Sequence, residues 1–360
     1  MRIEAWTWRA PNAGPALETL ELDVPRDDEV LVRIVAAGIC HTDLIGSALT
    51  PLPAVFGHEG AGVVEAVGAS VMKVRPGDHV VLTFGSCGGC ASCREGAPAY
   101  CAHSHALNFG GHRLDGSRTL CGPTGPVHGA FFQQSSFASH ALATERNVVL
   151  VPREFPLELA APLGCGIQTG VGSVLNTLDA PPGASIAVFG AGSVGLSAIM
   201  GAVIAGCSPI IAVDVRPERL ALATELGATH TIDAGTGGTV AAIEAIVPGG
   251  VRYSVETAGA VQSFKDAIDC LAKRGVCGLV TVPLLGQPFE FSPLSILKGR
   301  SLVGVLEGSS VPDAFIPRLI EWHLEGSLPY DRFCRRYAFS EMRRALEDVA
   351  AGRAIKAIIC

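Results

Sequence analysis

Four cysteines are grouped in the segment SCGGCASCREGAPAYC, residues 86–101, with the spacing C-x2-C-x2-C-x7-C: Cys87, Cys90, Cys93 and Cys101. A structural zinc ion takes four soft ligands in a tetrahedron, and the small residues between these cysteines allow one loop to wrap around an ion. Disulfides across such short spacings are strained, and a redox C-x-x-C motif needs only two sulfurs. The spacing predicts a structural zinc site, with an iron–sulfur cluster as the alternative.

A second group of residues has the spacing that binds a dinucleotide. The segment SIAVFGAGSVGLSAIM carries G-x-G-x-x-G between an apolar run and a helical stretch, at Gly190, Gly192 and Gly195. Such glycines permit a tight turn and a close approach of the backbone to a pyrophosphate. The next apolar run, PIIAVDV, ends at Asp214, whose carboxylate suits two ribose hydroxyls and repels a 2′-phosphate. NAD is therefore favoured, although Arg216 and Arg219 follow closely and leave NADP open.

Two styles of sequence surround these groups. Up to about residue 150, short alternating apolar runs such as EVLVRIVAAG are punctuated by Gly and Pro, which predicts a mostly β domain. From about residue 167, β-branched runs alternate with helical stretches, which predicts a parallel sheet built from βαβ units. A chain of 360 residues most readily forms two such domains.

Composition excludes several classes of function. With 48% hydrophobic residues, 17% charged residues and a net charge of −7, the chain offers no basic surface for nucleic acid or an anionic membrane. The N-terminus lacks the apolar core of a signal peptide, and the most apolar window is too short and Gly-rich to span a bilayer. We therefore expect a cytoplasmic protein, in whose reducing compartment clustered cysteines bind metal more often than they form disulfides.

Further cysteines and a histidine become informative only together. Cys40 in AGICHTD, His58 in VFGHEGAG and Cys165 in GCGIQTG are too far apart for spacing alone to identify them as ligands. A single His or Cys is more often a packed residue. Cys121, in a Gly/Pro loop, receives no role.

Five motifs nevertheless occur in a meaningful order: CHTD, GHEGAG followed by Gly68 and Val71, the four-cysteine loop, GCGIQTG and the glycine-rich turn. In this order they resemble the zinc-dependent medium-chain alcohol dehydrogenases over nearly the whole chain. The resemblance implies an α/β fold with a mostly β, GroES-like catalytic domain over residues 1–166, completed by residues 310–360. A Rossmann domain over residues 167–309 would bind NAD.

The same resemblance implies roles for individual residues. Cys40, His58 and Cys165 would hold a catalytic zinc with one open position, and the four-cysteine loop a second, structural zinc. Asp43 would orient His58, Glu59 would lie behind the metal, and Thr42 would hydrogen-bond the substrate oxygen. The remaining predicted contacts are with the dinucleotide, from His41, Thr169, the three glycines, Asp214, Arg219 and Lys356.

The implied reaction is hydride transfer from a primary alcohol to NAD, with zinc as Lewis acid, giving the aldehyde. Some family members place a histidine three residues after the threonine to relay the proton; here Ile45 stands there, so we expect the proton to pass from the ribose hydroxyl to water. A protein of this fold that binds zinc and dinucleotide without turnover is an alternative of another class, and it would be expected to lack one of the zinc ligands.

Two segments, PLPAVFGHEGAGVVEAVG and HGAFFQQSSFASHALATERNVVLVP, look most like the aryl- or benzyl-alcohol dehydrogenase branch, which predicts an aromatic or allylic alcohol as substrate. Phe131, Phe132 and Val282 would line the pocket, unless the two phenylalanines belong to the core. A broad aliphatic alcohol and S-(hydroxymethyl)glutathione are alternatives; the latter needs cations, and the loop offers only His103, His105, His112 and Arg113.

The strand SLVGVL resembles one that joins family members edge to edge, so a homodimer or homotetramer is expected.

Overall fold

The chain forms two compact units. The computed structural model describes residues 1–11, 13–281, 290 and 292–360. Unit 1 comprises Met1–Cys165, Val311–Glu321 and Asp331–Cys360, and unit 2 comprises Gly166–Ser310 and Trp322–Tyr330. Unit 1 is mostly β and unit 2 has a parallel sheet with helices, so the predicted fold class is confirmed.

The strands of the described chain are numbered in chain order: β1 (Arg2–Trp8), β2 (Ala16–Leu22), β3 (Glu29–Gly38), β4 (Ala54–Val55), β5 (Gly60–Val67), β6 (His79–Leu82), β7 (Leu120–Gly122), β8 (Gly125–Val127), β9 (His140–Thr144), β10 (Val148–Leu150), β11 (Ile186–Phe189), β12 (Ile210–Asp214), β13 (His230–Asp233), β14 (Val251–Glu256), β15 (Leu271–Leu279), β16 (Ser301–Gly304), β17 (Cys334–Tyr337) and β18 (Lys356–Ile359). The helices follow the same convention: α1 (His41–Leu44), α2 (Gly46–Leu49), α3 (Ala91–Arg94), α4 (Ser104–Phe109), α5 (Leu157–Ala160), α6 (Gly166–Gly172), α7 (Ser193–Ile204), α8 (Pro217–Glu225), α9 (Thr239–Ile246), α10 (Val261–Asp269), α11 (Pro293–Leu297), α12 (Pro312–Leu324) and α13 (Met342–Ala350).

Unit 1 is built on two sheets. One has the strand order β4-β1-β2-β7-β8, and the other has the order β10-β6-β5-β3-β18-β17 with β9 paired to β3. Successive side chains of a strand point to opposite faces, and β3 uses this to join two hydrophobic clusters. Val30 and Val32 belong to one cluster and Leu31, between them, to the other. The consecutive apolar residues of β3 therefore correspond to burial on both of its faces.

Unit 2 is built on one parallel sheet with the order β13-β12-β11-β14-β15-β16. From β11 the chain first adds strands on one side and then, at β14, on the other. In open α/β sheets, ligands bind at the carboxyl ends of the strands where the order reverses. The turn after β11 carries the predicted glycine motif, so the topology puts that motif at the expected binding position.

In the described part of the chain, no helix has both the length and the apolar character needed to cross a membrane.

Candidate active site and zinc centres

The four cysteines of the loop at residues 86–101 converge on one point. Their sulfurs all lie within 4.8 Å of one another, and Cys90 Sγ is 4.0 Å from Cys101 Sγ. None of the twelve cysteines, all of which lie in the described chain, forms a disulfide. The loop thus gathers four thiols without linking them, as a zinc site requires.

Backbone N–H groups point at these sulfurs. Ala102 N lies 3.4 Å from Cys90 Sγ, and the N–H groups of Cys87 and His103 lie 3.3 and 3.4 Å from Cys101 Sγ. The hydrogen bond from Ala102, followed by that from Cys93, lowers the pKa of the Cys90 thiol to about 6. Because metals bind the thiolate, donors aimed at sulfur fit this loop to a zinc ion.

The second cluster brings together residues distant in sequence. One ligand atom each from Cys40, His58, Glu59 and Cys165 lies within 4.8 Å of the others. Cys40 precedes α1, His58 and Glu59 precede β5, and Cys165 lies immediately before α6. All four belong to unit 1. The three residues predicted as ligands of a catalytic zinc are therefore adjacent in the folded chain.

Asp43 connects the parts of this cluster. One carboxylate oxygen accepts a hydrogen bond from Cys40 N at 2.9 Å. The other lies 2.8 Å from His58 Nδ1 and accepts from Gly57 N at 3.1 Å. Asp43 is buried, so its single side chain fixes both the turn that carries Cys40 and the ring of His58.

The Nε2 atom of His58 shows whether these residues are suited to bind a zinc ion. Its Nε2 is buried and has no hydrogen-bond partner among the described residues, whereas Nδ1 is held by Asp43. Burial lowers the pKa of His58, but Asp43 outweighs it and raises the pKa well above its ordinary value. The Cys165 side chain, together with His58, lowers the pKa of the Cys40 thiol well below its ordinary value. A buried imidazole nitrogen facing two thiols fits a zinc ion, whose binding would satisfy it.

Glu59 has a partner that the sequence did not suggest. Both of its carboxylate oxygens lie 2.8 Å from Lys356 Nζ, which also donates to Ile39 O at 3.3 Å. Both side chains are essentially inaccessible to solvent. Burial raises the pKa of Glu59, and the charge of Lys356 opposes that change. The structure thus pairs the Lys356 ammonium with a carboxylate beside the cluster of zinc ligands, whereas the resemblance predicts a contact between Lys356 and the dinucleotide.

The two predicted pocket phenylalanines differ in their surroundings. Phe131 is fully buried in a hydrophobic cluster of unit 1, with its ring 5.1 Å from that of Phe56. Phe132 stacks on His58, with ring centroids 4.5 Å apart and planes at 27°. Both rings are buried in that cluster and both lie against His58; Phe131 meets the imidazole edge-on, with ring centroids 5.7 Å apart, whereas Phe132 meets it face-on. The third predicted pocket residue, Val282, lies outside the described residues.

Thr42 and His41 begin α1, next to Cys40. Thr42 is half-buried, and its Oγ1 lies 3.9 Å from Cys40 Sγ. His41 is exposed on unit 1 and therefore accessible to a ligand. The hydroxyl of Thr42 thus lies beside one of the predicted zinc ligands.

The glycine motif of unit 2 forms a tight turn between β11 and α7. Gly190 has φ +88°, and a Cβ on Gly195 would stand 1.7 Å from Gly190 O. A Cβ on Gly192, by contrast, would meet no atom of the described residues within 4 Å, which leaves space at the start of α7. The turn needs Gly190 and Gly195 for its own geometry, and Gly192 leaves room for a ligand.

The charged groups around this turn suit a dinucleotide. Asp214 accepts from Ala191 N at 2.6 Å and from Arg216 N at 2.9 Å, and Arg219 Nη1 lies 3.9 Å from it. Ser193 Oγ, in the first turn of α7, is buried and has no partner in the described chain. An unsatisfied hydroxyl at a helix N-terminus fits a phosphate, so the site is suited to the cofactor.

Thr169, predicted to contact the cofactor, is buried in α6 with its Oγ1 3.5 Å from Glu307.

A zinc-ligand cluster in a mostly β unit and a dinucleotide turn in a parallel α/β unit together define a zinc-binding dehydrogenase. Comparison with known proteins agrees in both units. Residues 26–153 match the family model of the alcohol dehydrogenase GroES-like domain, and residues 193–324 match that of the zinc-binding dehydrogenase. The chain belongs to the zinc-dependent medium-chain alcohol dehydrogenase family; it is an enzyme that uses zinc and a nicotinamide dinucleotide.

Individual relatives cover almost the full chain. The geraniol dehydrogenase of Castellaniella defragrans is 45% identical over 352 residues, which are 96% of this chain and 94% of the relative. The crystal structure of benzyl alcohol dehydrogenase from Acinetobacter calcoaceticus has a TM-score of 0.96 at 44% identity, covering 100% of this chain and 99% of that one. An alcohol dehydrogenase zinc-binding domain protein from Burkholderia ambifaria has a TM-score of 0.97 at 50% identity, covering 100% and 98%.

Sequence reasoning missed two contacts of the site. The pairing of Lys356 with Glu59 joins residues 297 positions apart, and nothing in the sequence marks it. Gln134 also contacts the backbone of His58, from a segment whose family resemblance gave no sign of this contact. The one available signal was the charge of Lys356 in an otherwise apolar strand. It marked Lys356 as unusual but did not identify Glu59 as its partner.

Proposed function

We propose that the enzyme oxidises a primary aromatic or allylic alcohol to the aldehyde with NAD, at a catalytic zinc held by Cys40, His58 and Cys165. The observation that carries this is the buried Nε2 of His58, unpartnered in the described chain, facing two thiols while Asp43 holds the other ring nitrogen. A zinc ion bound there would supply Lewis-acid chemistry to the alcohol oxygen. A second zinc is proposed in the four-cysteine loop, where four ligands leave no open position.

The chain's own residues would bind and orient the alcohol. Thr42 would accept the hydrogen bond of the substrate hydroxyl and take part in removing its proton. Asp43 would keep the His58 ring in the orientation that leaves Nε2 available to the metal. Glu59 and Lys356 form an ion pair behind the proposed site. Because their charges are opposite, the pair would add little net charge to the site.

We propose NAD as the dinucleotide because of Asp214. Its carboxylate lies at the end of β12, beside the glycine-rich turn, and is 9% exposed. A 2′-phosphate at this position would meet a buried negative charge, whereas ribose hydroxyls could donate to it. Arg219 is close enough to moderate this charge, at 3.9 Å, but does not replace it.

The substrate class rests on Phe132 and on the relatives. An aromatic ring stacked on a zinc ligand gives a flat apolar wall close to the reacting atoms. Relatives named for geraniol and benzyl alcohol are consistent with such a wall. The glutathione adduct is disfavoured because Arg113 is buried and forms ion pairs with Glu29 and Asp23, so it is not available to bind a carboxylate of the tripeptide.

The proposal is tested by kcat/KM for benzyl alcohol, geraniol and ethanol, each with NAD and with NADP. We expect both unsaturated alcohols to exceed ethanol, and NAD to exceed NADP. Phe132→Leu is expected to lower the ratio of benzyl alcohol to ethanol by about 2- to 10-fold, because an aromatic contact contributes about 0.5–1.5 kcal/mol beyond area burial.

Phe56→Leu is the matched control for this variant. Phe56 is a fully buried ring of the same cluster, and its ring contacts are with Phe131 and Trp8. It should lose stability while keeping the substrate ratio. An unchanged ratio in Phe132→Leu would return that ring to the core, and a preference for NADP would contradict the role given to Asp214.

We also propose that the enzyme is a homodimer or homotetramer. Strand β16 is the last in the sheet of unit 2 and pairs only with β15 in the described chain. Three of its four residues are exposed, among them Val303. An open apolar edge of this kind invites pairing with a second copy across a two-fold axis.

A further inference from the structure

The segment that carries the proposed zinc ligand His58 runs beside a second segment, residues 134–137. Backbone hydrogen bonds join the two at one end: Ser136 N donates to Gly57 O and Phe137 N donates to Phe56 O, both at 2.9 Å. Past Gly57 these backbone bonds stop, although His58 and Gly60 remain buried beside this segment. Some other group must satisfy their backbone polar atoms.

That group is the side-chain amide of Gln134. Its Nε2 donates to His58 O at 2.9 Å and to Thr83 O at 3.2 Å, and its Oε1 accepts from Gly60 N at 3.0 Å. Gln134 is fully buried. The amide therefore binds the backbone on both sides of Glu59, and it continues with a side chain the ladder that Ser136 and Phe137 began.

The loop that presents Gln134 is held in an unusual conformation. Phe132, Gln133 and Ser135 have φ values of 51°, 54° and 49°, in the left-handed region that residues other than glycine rarely adopt. Asn147 Nδ2 lies 3.2 Å from both Phe132 O and Gln133 O, and Ser135 Oγ donates to Val55 O at 2.7 Å. Strained backbone of this kind persists only where its surroundings enforce it, and it is concentrated at functional sites.

We propose that Gln134 is a positioning residue for the catalytic metal: it fixes the backbone at His58 and so the direction of the His58 Nε2. Asp43 fixes the ring from its other nitrogen, and Gln134 fixes the chain from which the ring projects. The same loop presses the Phe132 ring against His58, so one short segment sets both the ligand and the aromatic wall. This inference rests on the proposed function, in which His58 binds zinc.

Removing the amide has a definite physical consequence. In Gln134→Leu the carbonyl of His58 and the N–H of Gly60 would be buried without partners, so the segment must shift to find new ones. A shift at the Cα of a ligand moves its nitrogen relative to the two cysteine sulfurs. Loss of groups that orient a metal ligand weakens metal binding by about 10- to 100-fold.

The chain provides its own matched control in the adjacent residue. Gln133 is also a buried glutamine of this loop, and its amide also donates to backbone carbonyls, those of Leu107 and His112. Those carbonyls lie in the segment after the four-cysteine loop and not beside His58. Gln133→Leu therefore removes the same chemistry from the same loop without touching the His58 segment.

The experiment measures zinc release from the purified holoenzyme to a chromogenic chelator. Wild-type protein should release two zinc ions in two phases, and the phase absent from Cys165→Ser identifies the proposed catalytic zinc. Gln134→Leu is expected to release that zinc at least tenfold faster, with the other phase unchanged, while Gln133→Leu leaves both rates as in wild type. Gln134→Met, which keeps the side-chain length, repeats the measurement if the leucine variant does not fold.

Equal rates in wild type and Gln134→Leu would overturn the inference while leaving the proposed function intact. Equal acceleration by Gln133→Leu and Gln134→Leu would do the same, because the effect would then be a general loosening of the loop. A wild-type enzyme whose Cys165→Ser variant lacks no zinc phase would instead contradict the proposed catalytic site itself.

Discussion

At the scale of single residues, the site depends on side chains that orient the proposed zinc ligands without being ligands themselves. Asp43 accepts hydrogen bonds from Cys40 N and Gly57 N and holds His58 Nδ1, so one carboxylate connects two proposed zinc ligands. In Asp43→Asn, an amide nitrogen must replace one of these acceptors. We expect zinc affinity at the catalytic site to fall by about 10- to 100-fold, measured by competition with a chelator, and kcat/KM to fall with it.

Asp78→Asn provides the control for that measurement. Asp78 accepts a hydrogen bond from Arg75 N, three residues earlier, just as Asp43 accepts one from Cys40 N. Among the described residues, however, no histidine ring is hydrogen-bonded to Asp78. Its replacement removes a comparable turn contact and should leave zinc affinity unchanged. Equal zinc affinity in the two variants would mean that Asp43 only supports a turn.

Residues of this kind mark the limit of what sequence can predict. Cys40, His58 and Cys165 were recognisable because a family pattern surrounds each of them. Gln134 was not, since a glutamine in a loop carries no pattern and its role appears only when residues 58 and 134 meet. The pairing of Lys356 with Glu59 was hidden for the same physical reason: the contact is created by tertiary structure.

At the scale of elements, the turn between β11 and α7 can be tested because its glycines have different neighbours. A Cβ on Gly195 would stand 1.7 Å from Gly190 O, whereas a Cβ on Gly192 would meet nothing within 4 Å in the part of the chain that the structure describes. Gly195→Ala should therefore destabilise unit 2, by about 1–3 kcal/mol as for other overpacked sites, and weaken NADH binding as well. Thermal unfolding and NADH fluorescence titration measure the two effects separately.

Gly192→Ala should behave differently, since its methyl group would occupy the space at the start of α7 that we assign to the pyrophosphate. Its melting temperature should stay within about 1 °C of wild type, because surface changes without a clash cost little. NADH binding should nevertheless weaken by at least tenfold. Normal NADH affinity in Gly192→Ala would place the phosphates elsewhere.

At the scale of the whole molecule, sequence predicted the two architectures well because each depends on a periodic pattern. The short apolar runs of unit 1, such as β3, and the βαβ succession of unit 2 correspond in the structure to two antiparallel-rich sheets and one parallel sheet. The third segment of unit 1, Asp331–Cys360, was harder to predict from the sequence. In this segment β17 and β18 pair in parallel, and β18 pairs with β3. That closure relies on long-range pairing, which no local pattern specifies.

The outer edge of β16 extends the argument from one chain to an assembly. Val303 is 36% exposed on this strand, and an exposed edge strand presents unpaired backbone groups with which another chain can pair. In Val303→Lys, two copies meeting edge to edge would bring like charges together near the two-fold axis. We expect the wild-type dimer or tetramer to dissociate to a smaller species, observed by size-exclusion chromatography with light scattering. Val24→Lys, at a 72% exposed position of unit 1 outside the strands, adds the same charge and should leave the mass unchanged; the same mass in Val303→Lys would mean that the interface lies on another surface.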